Sequence, residues 1–257
     1  MEATALEKCR AFALELADVA DAISMRHFGG PVPAVAKPDG TPVTEADRAI
    51  EHKLRERIAA AFPEHAVLGE EEGGVLAARR PTWVIDPIDG TRNFMRGIPI
   101  FATLIGLVVE RVTVVGVASV PAMEERWDAA AGAGARLNGS PVGVSAIDQL
   151  ADAQVLHGGL SWWRQDPDLW DLLGALADRA GRTRGFGDFW MHLLVAGGMA
   201  EVAIDRNLRP WDIAALSCIV TEAGGRATAW DGSPALTSGT LLCTNGLLHG
   251  DLQHLLA

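Results

Sequence analysis

The stretch Trp83-Val84-Ile85-Asp86-Pro87-Ile88-Asp89-Gly90-Thr91 constrains this chain more than any other. An apolar strand runs directly into two carboxylates three residues apart, followed by a Gly-Thr turn. Pro87 lacks an N–H and fixes φ, so a regular helix or ladder is not expected to continue through it. The chain is expected to bend where the acids sit, with both carboxylates facing one small volume. Crowded carboxylates repel unless a proton or a cation holds them. An oxygen-only donor set suits Mg²⁺, Mn²⁺ or Ca²⁺ rather than zinc. The Gly-Thr pair can open a helix whose free N–H groups take phosphate. The stretch therefore reads as a site for metal-assisted phosphoryl hydrolysis. Read alone, it fits an Asp-rich turn equally well; acids elsewhere in the chain decide between the two.

The chain has 257 residues, 49% of them hydrophobic, enough for a large core in one domain or two closely packed halves. Its formal net charge is −11, and no basic patch stands out, which argues against nucleic acid as a partner. Cys9, Cys218 and Cys243 form no metal-spaced set; Cys9 and Cys218 fall in apolar helical patterns and read as buried free thiols of a reducing compartment. The histidines form no HExxH or HxH pattern, and His157 and His192 read as surface or satisfied core residues, so a zinc hydrolase is disfavoured. Glu2 and Glu7 stand where a secretory signal would be basic. The uncharged run 98–109 is too short to span a bilayer as a helix. A soluble, cytoplasmic protein with no membrane partner is the expectation.

Leu6, Cys9, Ala13, Leu16, Ala20 and Ile23 mark one face of an amphipathic helix ending near Gly29-Gly30. A Pro/Gly/Lys loop, PVPAVAKPDGTP (31–42), follows. A second helix begins after Thr44, with Ile50, Leu54 and Ile58 on one face, and stops before Pro63. Strands are expected at 66–69, 83–85, 102–109 and 112–120, the last two joined at Glu110-Arg111, with a hairpin around the Gly-Ala turn of GAGARLNG (132–139). The second half reads strand 154–157, helix 167–180, helix 189–196, strand 201–204, helix 211–223 and strand 226–229. This order predicts a layered α/β sandwich, with an N-terminal half over 1–145 and a C-terminal half over 146–257.

Four segments, DPIDGT among them, put acids at element ends. Glu70 follows a strand, Asp86 and Asp89 follow another, Asp212 opens a helix, and Asp47 lies early in the second helix. Each has an ordinary explanation. Thr44 and Asp47 match a capping box, Asp212 suits a helix N-terminus, and the run 70–72 could be a solvated loop. Together with DPIDGT they describe the donors of a multi-cation phosphate site.

VLGEE (67–71), WVIDPIDGTRNF (83–94) and PWDIAALSCIVTEAGG (210–225) resemble the motifs of the inositol monophosphatase family, and the resemblance covers essentially the whole chain. It implies an αβαβα sandwich, a homodimer, and Mg²⁺-dependent hydrolysis of small phosphate monoesters, with roughly two or three ions per site and Mn²⁺ as an alternative. By motif position it assigns Glu70, Asp86, the Ile88 carbonyl, Asp89 and Asp212 to metal binding. Asp47 and Thr91, with Glu70, would serve the attacking water, and the N–H groups of Gly90 and Thr91 would receive the phosphate.

RGIPIFATLIGL (96–107) and GFGDFW (185–190) most resemble the histidinol-phosphate phosphatases of the family, which implies a role in histidine biosynthesis. Histidinol phosphate carries an ammonium and an imidazole, and its pocket should offer acids. Asp188 and Asp205 are the candidates, with Asn93 nearby. The alternatives are an inositol- or sugar-phosphate phosphatase and, from another class, a polyol- or nucleotide-binding regulator without turnover.

Overall fold

The computed structural model describes residues 3–30, 32–37 and 40–256. Glu2, invoked against a signal sequence, and Pro31, Pro38 and Asp39 of the expected loop lie outside the described residues. In chain order the first half contains α1 (Ala3–His27), β1 (Ala34–Ala36), β2 (Pro42–Thr44), α2 (Glu45–Ala61), β3 (Ala66–Gly69), β4 (Gly73–Gly74), β5 (Thr82–Asp89), α3 (Thr91–Met95), β6 (Ala102–Val109), β7 (Val112–Val120), β8 (Glu125–Ala130), β9 (Ala135–Leu137) and β10 (Ser140–Val142). The second half contains β11 (Gln154–His157), α4 (Leu160–Trp163), α5 (Pro167–Arg179), β12 (Arg182–Arg184), α6 (Asp188–Ala196), β13 (Val202–Arg206), α7 (Pro210–Glu222), β14 (Arg226–Thr228), β15 (Thr240–Thr244) and α8 (His249–Leu256).

Five layers stack because each sheet is apolar on both faces. The eight-stranded sheet has the order β10-β9-β8-β7-β6-β5-β3-β4, and the five-stranded sheet β12-β11-β13-β15-β14. Leu16, Ala20, Ile50, Leu54 and Ile58, on α1 and α2, pack against Ile85, Ile105, Leu107 and Val117 on one face of the large sheet. The opposite face offers Leu104, Ala118 and Trp127 to α6 and α7, which also meet Leu156, Ala203 and Leu241 of the small sheet. Val155, Val202, Ile204 and Leu242 turn the other way, toward Trp163, Leu173, Leu176 and Leu252. The result is the expected αβαβα sandwich, and its middle helical layer comes from the second half of the chain while touching strands of the first.

The helical periodicity of both N-terminal helices matches their buried faces. The first helix ends at His27, just short of the glycine pair. The segment expected as a loop instead forms, where described, the antiparallel hairpin β1–β2. Glu110 and Arg111 adopt positive φ, the geometry of a tight two-residue hairpin turn, and join β6 to β7 where expected. Several elements were not expected from the sequence, among them the two-residue β4, the short α4, β12, the C-terminal α8, and β15, which lies between β13 and β14 in the small sheet.

The expectation that Pro87 ends the ladder is corrected. β5 runs on through Asp89, antiparallel to β6, with a register shift between Asp86 and Asp89. Asp86 pairs with Leu104 and Asp89 with Ala102, so β5 takes three steps where β6 takes two. This is a bulge, and it absorbs the residue that lacks an N–H. It also matters for the acids. In a regular strand, residues three apart point to opposite faces; one extra residue brings them to the same side.

Candidate active site

β3 and β5 are parallel neighbours with Gly69 opposite Ile85, so the residues that follow each strand emerge at the same end of the sheet. Glu70 donates its N–H to the Ile85 carbonyl at 3.2 Å, which places it beside Asp86. α7 approaches the same end from the middle layer and contributes Asp212 in its first turn. One carboxylate oxygen from each of Asp86, Asp89 and Asp212 lies within 4.8 Å of the others. Residues 123 positions and more apart in sequence are thus brought to a volume about the size of one hydrated cation.

Each acid is held by the backbone. Asp86 Oδ1 accepts from Ile88 N at 3.0 Å, Asp89 Oδ2 from Phe189 N at 2.8 Å, and Asp212 Oδ2 from Arg209 N at 2.7 Å. The last bond caps α7, so the helix-start explanation of Asp212 and its place in the acid cluster are both true. Asp47 resolves in the same way. Its Oδ2 accepts from Thr44 N at 2.8 Å and from the Thr44 hydroxyl, which completes the capping box. Its Oδ1 is buried without a hydrogen-bond partner. A cap needs only one oxygen; the second is free for another donor.

The electrostatics follow from burial. Asp86 and Asp89 are pushed well above the usual carboxylate range by burial and then by neighbouring acids: Glu70 and Asp89 act on Asp86, Asp188 and Asp212 on Asp89. Burial first, then Glu70 and Asp188, raises Asp212 to about 7. Asp205 is raised to about 7 by burial and by Asp188 and Asp212. Burial also raises Asp47, with Glu70 adding repulsion. Such a donor set demands positive charge, and one lysine already answers it. Lys37, beyond β1, places its Nζ 2.6 Å from Glu70 and 2.5 Å from Glu71. The acid cluster fits a hard divalent cation: it is all oxygen, preorganised by N–H bonds, and under-neutralised.

Beside the acids lies a cavity of about 190 Å³ lined by Asp89, Asp188, Asp205 and Asp212 together with Trp162 and His192. Asp188 opens α6 with φ 49°, a left-handed conformation uncommon outside glycine, and its Oδ2 accepts from Asn93 Nδ2 at 3.2 Å. Asn93 also donates to the Ile100 carbonyl, at 2.9 Å. Asp188 and Asp205 thus line the cavity, and Asn93 is joined to it through its bond to Asp188. Gly90 caps α3 with φ 84°, where an added Cβ would meet the Ile100 carbonyl at 3.0 Å. Only glycine turns the chain there from the bulge into a helix start, whose first N–H groups have no intrahelical acceptor. Thr91 Oγ1 donates to the Ile88 carbonyl at 3.0 Å, so the hydroxyl and that carbonyl sit together.

Two contributors were not found in the sequence. Lys37 lay in a stretch read only as loop, and its partners are more than thirty positions away. His192 was read as a surface or satisfied core residue, yet it lines the cavity with Nδ1 unpartnered, and burial lowers its pKa to about 3, which keeps it neutral. His157 is buried, with Nδ1 2.8 Å from the Gly158 carbonyl. All three cysteines are buried free thiols. Among the described residues, no helix is long and apolar enough to cross a membrane.

A five-layer sandwich with clustered acids at the ends of β3, β5 and α7 defines a class, and comparison with known proteins agrees. The model of the inositol monophosphatase family matches residues 5–257, and the chain belongs to this family of phosphatases. Among curated relatives, the chain is 42% identical to a histidinol-phosphatase of Mycobacterium tuberculosis (strain H37Rv) over 93% of its length and 94% of the relative's. It is 37% identical to an inositol-1-monophosphatase of Synechocystis, over 85% of this chain and 77% of that one. Among solved structures, the inositol monophosphatase from Anabaena superposes with a TM-score of 0.86 at 32% identity, covering 98% of this chain and 96% of that one.

The raised acids predict an unusual pH dependence for the metal-free protein. In the unfolded chain these carboxyls ionise near 3.8, whereas Asp205 and Asp212 hold their protons to about 7 when folded. Between those values the unfolded state has released protons that the folded state keeps, so stability falls as pH rises. The melting temperature in chelator should drop between pH 5 and pH 8, and saturating Mg²⁺ should restore it. A flat or rising profile in chelator would contradict the crowding described above.

Proposed function

We propose that the chain is a Mg²⁺-dependent phosphomonoesterase acting on L-histidinol phosphate, releasing L-histidinol and phosphate, in the cytoplasm and as a homodimer. The observation that carries the substrate reading is the cavity wall. Asp188 and Asp205 face the space beside the acid cluster. The hydroxyls of a neutral polyol can bond to buried carboxylates but bring no compensating charge, whereas an ammonium-bearing substrate neutralises them. The M. tuberculosis and Streptomyces coelicolor relatives bearing the histidinol-phosphatase name, at 42% and 41% identity, support the same reading.

In this reading Glu70, Asp86, the Ile88 carbonyl, Asp89 and Asp212 hold the cations. A divalent ion bound there supplies Lewis acidity, which acidifies water and takes up charge on phosphoryl and leaving-group oxygens. The protein does the rest. The first N–H groups of α3, at Gly90 and Thr91, receive the phosphate. The free Oδ1 of Asp47 and the Thr91 hydroxyl orient the attacking water, and Glu70 assists in accepting its proton. Asn93 holds Asp188 toward the organic end of the substrate, which Asp205 binds from the β13 side. The line of attack is set by acids fixed through backbone bonds, so little reorganises during the reaction.

Asp89→Asn should abolish nearly all turnover while the fold persists. In chelator at pH 8 it should melt higher than the parent protein, since one buried like charge is removed. Full activity in this variant would remove Asp89 from the site. Thr91→Ala should lower kcat more than it changes KM, because the hydroxyl acts chiefly in the transition state; an effect on KM alone would argue against that role.

Specificity is tested by phosphate release from histidinol phosphate, inositol 1-phosphate and fructose 1,6-bisphosphate, with and without Mg²⁺. A charge-assisted bond to a buried ammonium contributes about 1.5–3 kcal/mol. Asp188→Asn and Asp205→Asn should therefore each lower kcat/KM for histidinol phosphate more than tenfold, and do so far more than for p-nitrophenyl phosphate. Equal losses on both substrates, or a preference of the parent protein for inositol 1-phosphate, would favour the inositol-type reading. Binding without metal-dependent release of phosphate would favour a regulator.

A further inference from the structure

A buried carboxylate that plays no part in the chemistry above sits one helical turn after Asp47. Glu51 on α2 is completely buried, and its carboxylate is spent on the loop that carries Glu70. Oε2 accepts from Glu71 N at 2.7 Å and Oε1 from Glu72 N at 2.9 Å. The two amides immediately following Glu70 are thus tied to a single side chain. Arg55, the next turn of α2, completes the clamp: its Nε donates to Glu51 Oε1 at 2.9 Å and its Nη2 to the Gly73 carbonyl. Charge and hydrogen-bond capacity are both satisfied, which a buried carboxylate requires.

The strand before the loop is shaped for this contact. A Cβ added at Gly69 would fall on the Glu51 carboxylate itself, well inside contact distance. The absence of a side chain at 69 is therefore what lets the carboxylate reach the amides at 71 and 72. Residues four apart on a helix share a face, so α2 presents Asp47 and Glu51 to the same side. One keeps an oxygen buried without a hydrogen-bond partner; the other fixes the backbone on which Glu70 rides.

We propose that Glu51, backed by Arg55 and accommodated by Gly69, is the positioning residue of the Glu70 loop, and that it sets cation affinity by tying that loop to the helix that bears Asp47. The inference rests on the reading of Glu70 as a cation ligand. Without the tie, the three residues 70–72 would be held only at their ends, by the pairing of β3 with β4, with the amides of Glu71 and Glu72 unpartnered, and Lys37 would compete for the Glu70 carboxylate. Side chains that orient a ligand from behind typically change metal affinity or activity by about 10- to 100-fold when removed.

The test uses two variants that break the same contact from opposite sides. Glu51→Gln keeps the shape but turns an NH₂ group toward one of the two amides. Gly69→Ala keeps Glu51 and puts a methyl where its carboxylate sits. In the metal-free protein, amide exchange at Glu71 and Glu72 should become about tenfold faster or more in both variants, with exchange in β6 and β7 unchanged. Calorimetric titration with Mg²⁺ should show affinity weakened by about tenfold or more, and the Mg²⁺ concentration for half-maximal activity should rise in step, with kcat at saturating Mg²⁺ little changed. A variant with a lowered melting temperature but unaltered exchange at 71 and 72 and unaltered Mg²⁺ affinity would make Glu51 a purely structural residue and overturn the proposal. Glu70→Gln separates this failure from failure of the underlying reading. If Glu70→Gln weakens Mg²⁺ binding and the Glu51 and Gly69 variants do not, only the positioning role falls. If Glu70→Gln leaves Mg²⁺ binding unaltered, the ligand assignment itself falls and takes the proposal with it.

Discussion

Mutual repulsion among buried carboxylates is the constraint around which this molecule is organised. Asp86, Asp89, Asp205 and Asp212 are all raised above their ordinary range, each chiefly because water has been removed. A fold without a function for these groups would place them at the surface or pair them with cations. Here each is instead fixed by a backbone N–H: Ile88 for Asp86, Phe189 for Asp89, Arg206 for Asp205 and Arg209 for Asp212. Hydrogen bonds of this kind favour the charged form without neutralising it. The donors are geometrically fixed and their charged forms are left without a cationic partner, which suits a site completed by something positive.

The layers explain how such a site is held rigidly. Asp89 and Phe189 are joined by a hydrogen bond between β5 and the start of α6. Asp86 and Asp212 meet because α7 is packed between the two sheets, its Ala214 and Ala215 seated against Gly106 and Gly116 of the large sheet. Small residues on both sides allow the helix to approach the strands closely, and the position of Asp212 follows from that approach. The aromatic and aliphatic cores on either side of the large sheet thus serve the site directly: they leave α7 no freedom to slide and relieve the repulsion.

Several residues carry two roles that a sequence cannot separate. Asp47 is a helix cap through one oxygen and an unpartnered buried acceptor through the other. Asp212 caps α7 and joins the acid cluster. In each case the ordinary explanation and the functional one use different atoms of the same carboxylate, so weighing one against the other from composition alone poses a false choice. Pro87 shows a related point. Its missing N–H was read as a break in the ladder, but a bulge accommodates it, and the same bulge puts Asp86 and Asp89 on one side.

The sequence by itself determined the amphipathic faces of α1 and α2, the long β6–β7 hairpin and the identity of the acids near Gly90. These are local matters of periodicity, turn chemistry and motif, and they depend only on neighbours along the chain. Tertiary structure decided what those acids meet. That Lys37 reaches Glu70, that Asn93 holds Asp188 and that Glu51 ties down the loop after Glu70 all depend on contacts between segments far apart in sequence. β15 escaped notice for the same reason: a short apolar run takes its identity as a strand from β13 and β14 on either side. The pKa values likewise belong to the folded state alone, because they are set by burial and by distances between charges that the unfolded chain does not possess.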